Sequence, residues 1–291
     1  MMKIATLGPA SRPWLALAFF VISYMVFDPI ESAIYKPLAH ALDLHMIRDG
    51  SMGLLPFGVL MIIRLALDLG VVATLLLILN RRVTDFPLAG PAMLRMTLIG
   101  VAIGLSVMVS VILSILALGD ATVHWTSQPP ALALLHGGGW FAFDFVGAAG
   151  EELEGRVAVL LVAQPLIGRR GAILASGILF AGIHLGNPGA TDIWLLRLFF
   201  QGLLLAWAVY RTGSFWWSTG YHTGWNWASA PLFGAAGSGY LDAGHLFDFV
   251  PTGSEWITGG SVGPEGSVFA FVAMFAALIM LILTTPGKTT P

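Results

Sequence analysis

The chain contains no cysteine, and only 10% of its 291 residues are charged. The absence of cysteine excludes disulfide bonds, a thiol nucleophile and any cysteine-ligated metal. Soluble domains carry about 25% charged residues. With 57% hydrophobic residues and a mean hydropathy of +0.83, this chain cannot cover itself with a polar surface. The composition therefore predicts an integral membrane protein.

The sequence also lacks basic clusters, internal repeats and low-complexity tails. The formal net charge is −2 and no run of Lys or Arg stands out, so we predict no nucleic-acid partner. The apolar N-terminal stretch has no convincing cleavage site in "DPIESAIYKP" after Phe27, and we interpret it as an uncleaved first span. We predict a single membrane domain over residues 1–291.

Eight apolar segments could cross a bilayer, which takes about 20 residues for each helix. They lie at residues 14–34, 54–79, 94–118, 136–164, 171–186, 193–210, 215–230 and 268–284. The fifth and seventh are short and rich in Gly or Trp, so they are expected inside a bundle. The sequence thus predicts an all-α, polytopic transmembrane helix bundle.

The distribution of basic residues predicts the orientation of this bundle. With the N-terminus in the cytoplasm, nine basic residues lie on the cytoplasmic side: Lys3, Arg12, Arg81, Arg82, Arg95, Arg169, Arg170, Arg211 and Lys288. Only Lys36 and Arg48 lie on the other side. This excess follows the positive-inside rule and predicts cytoplasmic N- and C-termini, in what we expect to be a bacterial cytoplasmic membrane. The segment 231–267, without Lys or Arg, becomes an extracytoplasmic loop.

The stretch "EELEGR" places Glu151, Glu152, Glu154 and Arg156 between apolar flanks. A charged side chain at the centre of a membrane helix costs about 2.5–3.5 kcal/mol on insertion scales. These charges must therefore face partners or a water-filled cavity. Glu152 and Arg156 are spaced i, i+4 and are predicted to pair, whereas Glu151 points about 100° away from Glu152. A buried ion-pair network without chemistry is the alternative for this stretch alone.

Two later stretches add polar groups to apolar segments. "FAGIH" ends in His184, and "HTGWN" puts His222 and Asn226 four residues apart on one helix face. Carboxylate, imidazole and amide groups are those that activate a water molecule and stabilise an oxyanion. Arg64 and Asp68, also i, i+4, are predicted to form an internal ion pair. Asp28, Glu31 and Asp144 are further carboxylates for the same cavity, and the sequence does not choose among them.

Together these stretches resemble the CAAX prenyl protease family, also called CPBP or Abi intramembrane proteases. The family pattern EExxxR, FxxxH and HxxxN is met by Glu151-Glu152-x-x-x-Arg156, Phe180-x-x-x-His184 and His222-x-x-x-Asn226. Each motif alone is weak. Their order and their placement in apolar segments make the combination specific, and it covers a protease-like core of about residues 136–230.

The resemblance implies a bundle of eight spans with a conical active-site cavity in the membrane. The implied activity is an endopeptidase acting on a membrane-associated or lipidated peptide. Carried over by position, Glu151 activates water with the help of His184, and His222 and Asn226 stabilise the oxyanion. Glu152 and Arg156 support the site.

Metal dependence and function each leave an alternative. The sequence has no HExxH motif, and we expect a metal-free reaction without a cofactor; a zinc site formed by Glu151, His184 and His222 is the alternative. The rival functions are a proton-coupled transporter and a catalytically silent, bacteriocin-immunity-type membrane protein. The sequence identifies neither the substrate nor the oligomeric state.

Overall fold

A computed structural model of the chain describes residues 10–48, 50–85, 88 and 92–285, and it is almost entirely helical. The helices are α1 (Arg12–Ala41), α2 (Leu54–Leu79), α3 (Met93–Ala117), α4 (Pro130–Glu152), α5 (Val159–Ile183), α6 (Asp192–Thr212), α7 (Phe215–Trp227), the short α8 (Glu255–Thr258) and α9 (Val268–Thr284). Two π-helical turns, Leu153–Ala158 and Ala228–Leu232, follow α4 and α7. The predicted all-α class is confirmed.

The predicted count of eight spans is matched only in part. Within the described residues, five helical runs are long and apolar enough to cross a membrane, and the continuous run Pro130–Ile183 counts once among them. That run is divided by Gly168, whose φ of 72° and ψ of 174° break the helix. Such a positive φ favours glycine. The two segments beside this bend lie against each other, since the Ser176 hydroxyl donates to the Gly155 carbonyl across it. The helices support an integral membrane protein, while the number eight stays a prediction.

Four connections gather at one end of the bundle, which we call the loop end: residues 42–53, 118–129, 184–191 and 233–267. Two small antiparallel ribbons lie there, β1 (Ile47–Arg48) with β2 (Ser51–Met52), and β3 (Ala121–Trp125) with β4 (Phe247–Pro251). The Met52 amide donates to the carbonyl of Leu241 at 2.7 Å. The segment 233–267 is therefore tied to the other connections.

The opposite end, which we call the basic end, holds the start of α1, the end of α9, residues 80–85, the Gly168 bend and the α6–α7 turn. The Arg211 guanidinium donates to the carbonyl oxygens of Ile282 and Thr285 here. Lys3, Lys288 and the two termini, on which the predicted orientation partly rests, lie outside the described residues.

Helices α3 and α7 touch through glycines on both sides. Added Cβ atoms at Gly100 and Gly104 would lie 2.2 and 2.0 Å from carbonyl oxygens of α7, and at Gly220 and Gly224 they would lie 2.2 and 2.3 Å from carbonyl oxygens of α3. Both helices thus carry a GxxxG motif, which lets membrane helices approach closely. Because His222 lies between the two α7 glycines, this contact fixes its position along the helix axis and the orientation of its side chain around that axis.

The predicted ion pair between Arg64 and Asp68 is wrong. Arg64 reaches α1 instead, with Nε 3.2 Å from Glu31 Oε2 and Nη2 3.9 Å from Asp28 Oδ1. The i, i+4 rule describes neighbours on one isolated helix. Here a carboxylate of the adjacent helix offers the guanidinium a closer partner, which a single-helix pattern cannot reveal.

Candidate active site

The charged stretch "EELEGR" spans the junction between α4 and a π-helical turn. In this turn the carbonyl of Gly155 accepts a hydrogen bond of 2.6 Å from the hydroxyl of Ser176 on α5. π-Helical turns are rare and are frequent at functional sites. This one brings the end of α4 against α5, so that the carboxylates of α4 face His184, directly after α5, and His222 on α7.

Glu152 lies at the centre of a buried network. Its Oε2 is 3.1 Å from Arg156 Nε, and neither side chain is exposed. Its Oε1 accepts a hydrogen bond of 3.1 Å from Nδ1 of His222. The Glu152–Arg156 pair expected from the sequence is therefore present, and its carboxylate also holds an imidazole that the sequence did not connect to it.

Both candidate histidines have the same arrangement of ring nitrogens. Nδ1 of His184 donates to the carbonyl of Phe180 at 2.8 Å, as Nδ1 of His222 does to Glu152. Because each Nδ1 carries the proton toward a fixed acceptor, each Nε2 is turned away from it. The two Nε2 atoms face Glu151 Oε2, at 3.9 Å from His184 and 3.8 Å from His222.

Glu151 differs from its neighbour Glu152 in exposure and in partners. Its side chain is 35% exposed, against 0% for Glu152, and its Oε2 accepts no hydrogen bond from the described residues. The separations of 3.8 and 3.9 Å are too long for direct hydrogen bonds and suit bridging by a water molecule. Glu151 is thus a carboxylate left free to bind a small ligand.

Phe180 packs against three members of the site. Its ring lies edge-on to His184 and His222, with centroids 4.9 and 5.9 Å away, and the guanidinium of Arg156 sits 4.0 Å from its centroid. Arg156 is fully buried, and its terminal nitrogens find no hydrogen-bond acceptor in the described protein. The ring face of Phe180 therefore compensates part of the buried charge.

A cavity of about 610 Å³ contains these groups. Glu151, His184, His222 and Asn226 all line it, and Asn226 lies on α7 one turn beyond His222. Glu152 and Arg156 are not among its lining residues. The structure thus brings all six predicted site residues together and separates four that face the cavity from two that lie behind it.

The three side chains considered for zinc do not fit a metal in this arrangement. Tetrahedral zinc bonds of about 2.0–2.2 Å hold ligand atoms about 3.3–3.6 Å apart, whereas both Nε2 atoms are farther than this from Glu151 Oε2. Across the part of the chain that the structure describes, no three His, Asp or Glu side chains are placed to hold a metal ion.

Sequence patterns missed a second buried network behind His184. Glu265, in the segment 233–267, accepts hydrogen bonds from Arg197 at 2.8 Å and from the Trp194 indole at 3.3 Å. The Trp194 ring packs edge-on against His184 with centroids 5.7 Å apart. An isolated glutamate in a glycine-rich loop gave no sign of this role. Its 68-residue separation from Arg197 is beyond any local pattern.

Comparison with known proteins supports the resemblance seen in the motifs. Residues 136–228 match the model of the family described as type II CAAX prenyl endopeptidase Rce1-like. The matched segment contains all six residues of the candidate site. Neither the curated proteins nor the solved structures gave a match to this chain.

Proposed function

We propose that this protein is an intramembrane endopeptidase of the CAAX-protease type, which hydrolyses a peptide bond in a membrane-associated or lipidated substrate. The observation that carries the proposal is the convergence of two imidazole Nε2 atoms on one unbonded oxygen of Glu151. A proton-coupled transporter would instead distribute such groups along a path. The family match over residues 136–228 supports the same conclusion.

Glu151 is the general base of the proposed reaction. Its carboxylate takes a proton from a water molecule, and the resulting hydroxide adds to the scissile carbonyl carbon. His184 Nε2 accepts a hydrogen bond from the same water and aligns it. When the tetrahedral intermediate collapses, Glu151 returns the proton to the departing amide nitrogen, so the carboxylate is regenerated and no cofactor is consumed.

His222 and Asn226 supply the proposed oxyanion site. The side-chain amide of Asn226 donates one hydrogen bond. His222 donates another from Nε2 when it is protonated on both nitrogens, a state that the carboxylates at its two ends, Glu152 and Glu151, stabilise. Glu152 is then a positioning residue, because it fixes the imidazole without touching the substrate. Donors fixed before the reaction stabilise developing charge most effectively.

The cavity lies toward the loop end of the bundle. Met46, Met52 and Asp242, which belong to the connections gathered there, line it. Among the described residues, the basic end holds seven basic residues: Arg12, Arg81, Arg82, Arg95, Arg169, Arg170 and Arg211. The loop end holds Lys36 and Arg48. By the positive-inside rule, the basic end is cytoplasmic and substrates enter the cavity from the extracytoplasmic side.

The proposed activity is tested by cleavage of prenylated and unmodified peptides with purified protein in detergent. Glu151→Gln and His222→Ala should each reduce kcat by at least about 10³-fold, since they remove the base and an oxyanion donor. A strong chelator should leave the rate unchanged. Loss of activity on chelation with rescue by zinc would contradict the metal-free reaction, and full activity of Glu151→Gln would contradict the assignment of the base.

A further inference from the structure

The cavity wall is strongly acidic. Six carboxylate residues line it: Asp28, Asp68, Asp144, Glu151, Glu154 and Asp242. Of Lys and Arg, the described lining includes only Arg64, which is already held by Glu31 and Asp28. Four of the six, Asp68, Asp144, Glu154 and Asp242, form no ion pair within the described protein. Among these four, Asp144 and Asp242 are distinct because each has a buried side-chain oxygen without a hydrogen-bond partner there.

Asp144 lies on the face of α4 that carries Glu151. The two residues are seven positions apart, which is nearly two helical turns and about 10 Å along the axis. Asp144 is 6% exposed, and its Oδ2 accepts no hydrogen bond from the described protein. It therefore presents a buried, unpartnered oxygen to the cavity on the loop-end side of the candidate base.

Asp242 belongs to the segment 233–267 and is held in place by its neighbours. Met52 bonds to the backbone on both sides of it, accepting from the Ala243 amide at 2.9 Å and donating to Leu241. The indole of Trp140, one turn before Asp144 on α4, donates to the Ala243 carbonyl at 2.9 Å. Asp242 is 4% exposed, and its Oδ1 is also without a hydrogen-bond partner in the described protein.

We propose that Asp144 and Asp242 form a subsite that binds an arginine or lysine side chain of the substrate, so that the enzyme selects peptides with a basic residue near the scissile bond. This subsite rests on the proposed peptidase function. An extended peptide advances 3.3–3.4 Å per residue, so about 10 Å corresponds to about three residues. The basic side chain therefore belongs within about three residues of the bond that Glu151 attacks.

A cationic side chain complements the negative charge of Asp144 and Asp242. The two carboxyl groups repel each other when both are ionised, and buried charges without partners are costly. A guanidinium can donate two parallel hydrogen bonds to carboxylates, and its positive charge offsets the repulsion between the two carboxyl groups. A divalent cation is less suited, because two carboxylates supply few of the six to eight oxygen ligands that calcium takes.

Protonation of Asp242 gives the subsite a pH dependence. Burial raises the pKa of Asp242 to about 8, so its carboxyl group is largely protonated at neutral pH until a cation binds. The carboxyl group that faces it from α4 is that of Asp144, which in turn lies near Glu151. On its own segment, the His245 ring donates from Nδ1 to the Asp242 backbone carbonyl at 2.7 Å. The preference for arginine should increase between pH 6 and pH 9.

The test separates binding from cleavage. Glu151→Gln protein in nanodiscs is titrated with fluorescent decapeptides that carry either arginine or uncharged citrulline at successive positions. We expect at least tenfold tighter binding of the arginine peptide at one position, which corresponds to about 1.4 kcal/mol. Adding Asp144→Asn and Asp242→Asn should remove this preference. Adding Asp28→Asn, a matched loss of an exposed cavity carboxylate, should preserve it.

Charge reversal guards against a variant that merely misfolds. Asp242→Arg should transfer the preference to a peptide with glutamate at the same position. Equal binding of arginine and citrulline peptides at every position would overturn the subsite, as would calcium binding by the pair that excludes the arginine peptide. If the arginine peptide binds more tightly but wild-type protein cleaves no peptide, the subsite is supported and the proposed peptidase function is contradicted. If wild-type protein cleaves peptides but binds arginine and citrulline peptides equally, the peptidase function is supported and the subsite is contradicted.

Discussion

Replacing Glu152 by Gln should lower both the stability of the protein and its activity, for two different physical reasons. The substitution keeps the shape of the side chain but removes the charge that faces Arg156 at 3.1 Å, where neither side chain is exposed. Breaking a buried ion pair by removing one partner costs about 3–5 kcal/mol. At about 2–4 °C per kcal/mol for a chain of this order, the unfolding temperature should fall by roughly 6–20 °C.

The same substitution should reduce catalysis for a separate reason. Glu152 Oε1 accepts the Nδ1 proton of His222, and a neutral amide no longer stabilises the imidazolium that the proposed oxyanion site requires. Loss of an orienting carboxylate of this kind costs about 10²–10⁴-fold in kcat. KM should change little, because Glu152 lies behind the cavity wall and does not contact the substrate.

A double variant separates the two effects. Glu152→Gln combined with Arg156→Met removes both charges, which is often neutral for stability, so the unfolding temperature should recover while kcat stays low. Glu154→Gln is the matched control, since this carboxylate lines the cavity but forms no hydrogen bond to His222. Recovery of kcat together with stability in the double variant would refute the positioning role of Glu152 and leave it a structural one.

Three further predictions concern helix packing, pH and orientation. Gly220→Ala should disrupt the α3–α7 contact and lower the yield of folded protein, measured by size-exclusion chromatography, whereas Gly138→Ala, with open space at its Cβ position, should not. The pKa of Asp242 is about 8 in the folded protein and about 3.9 in the unfolded chain, so its contribution to stability should fall as pH rises from about 4 to about 8 and then level off. Asp242→Asn should flatten this part of the profile of unfolding temperature against pH. An unchanged profile would contradict the raised pKa. In this cysteine-free chain, a membrane-impermeant maleimide should label Trp256→Cys but not Val83→Cys in intact cells, and the opposite pattern would reverse the proposed orientation.

The helices could be predicted from the sequence because the solvent imposes them. A chain in lipid must satisfy its backbone hydrogen bonds internally, so each apolar run becomes a helix almost regardless of its neighbours. The loop end could not be predicted in this way. The pairing of β3 with β4 joins residues more than 120 positions apart, such as Thr122 with Val250, and no local period encodes such a pairing.

Part of the candidate site was also accessible to sequence reasoning. The i, i+4 rule gave the Glu152–Arg156 pair correctly because, in the described protein, no carboxylate of another helix pairs with the guanidinium of Arg156. It failed for Arg64, whose partners are on α1. Likewise, the contact of Glu152 with His222 joins α4 to α7 across 70 positions. Helix periodicity predicts which residues share a face, but the partner of that face depends on packing between helices.

The adjacent carboxylates show why one stretch can carry both support and chemistry. Successive helical residues point about 100° apart, so a helix at a cavity wall directs one of two neighbours inward and the other into the packed bundle. Glu152 is neutralised by Arg156 and His222 in the bundle, and its charge is therefore retained without access to water. Glu151 keeps an unbonded oxygen at the cavity because its neighbour has taken the guanidinium. If Glu151 had no chemical role, Glu151→Gln would be harmless to folding and to activity alike, because the ion pair with Arg156 belongs to Glu152. We expect it to be harmless to folding alone.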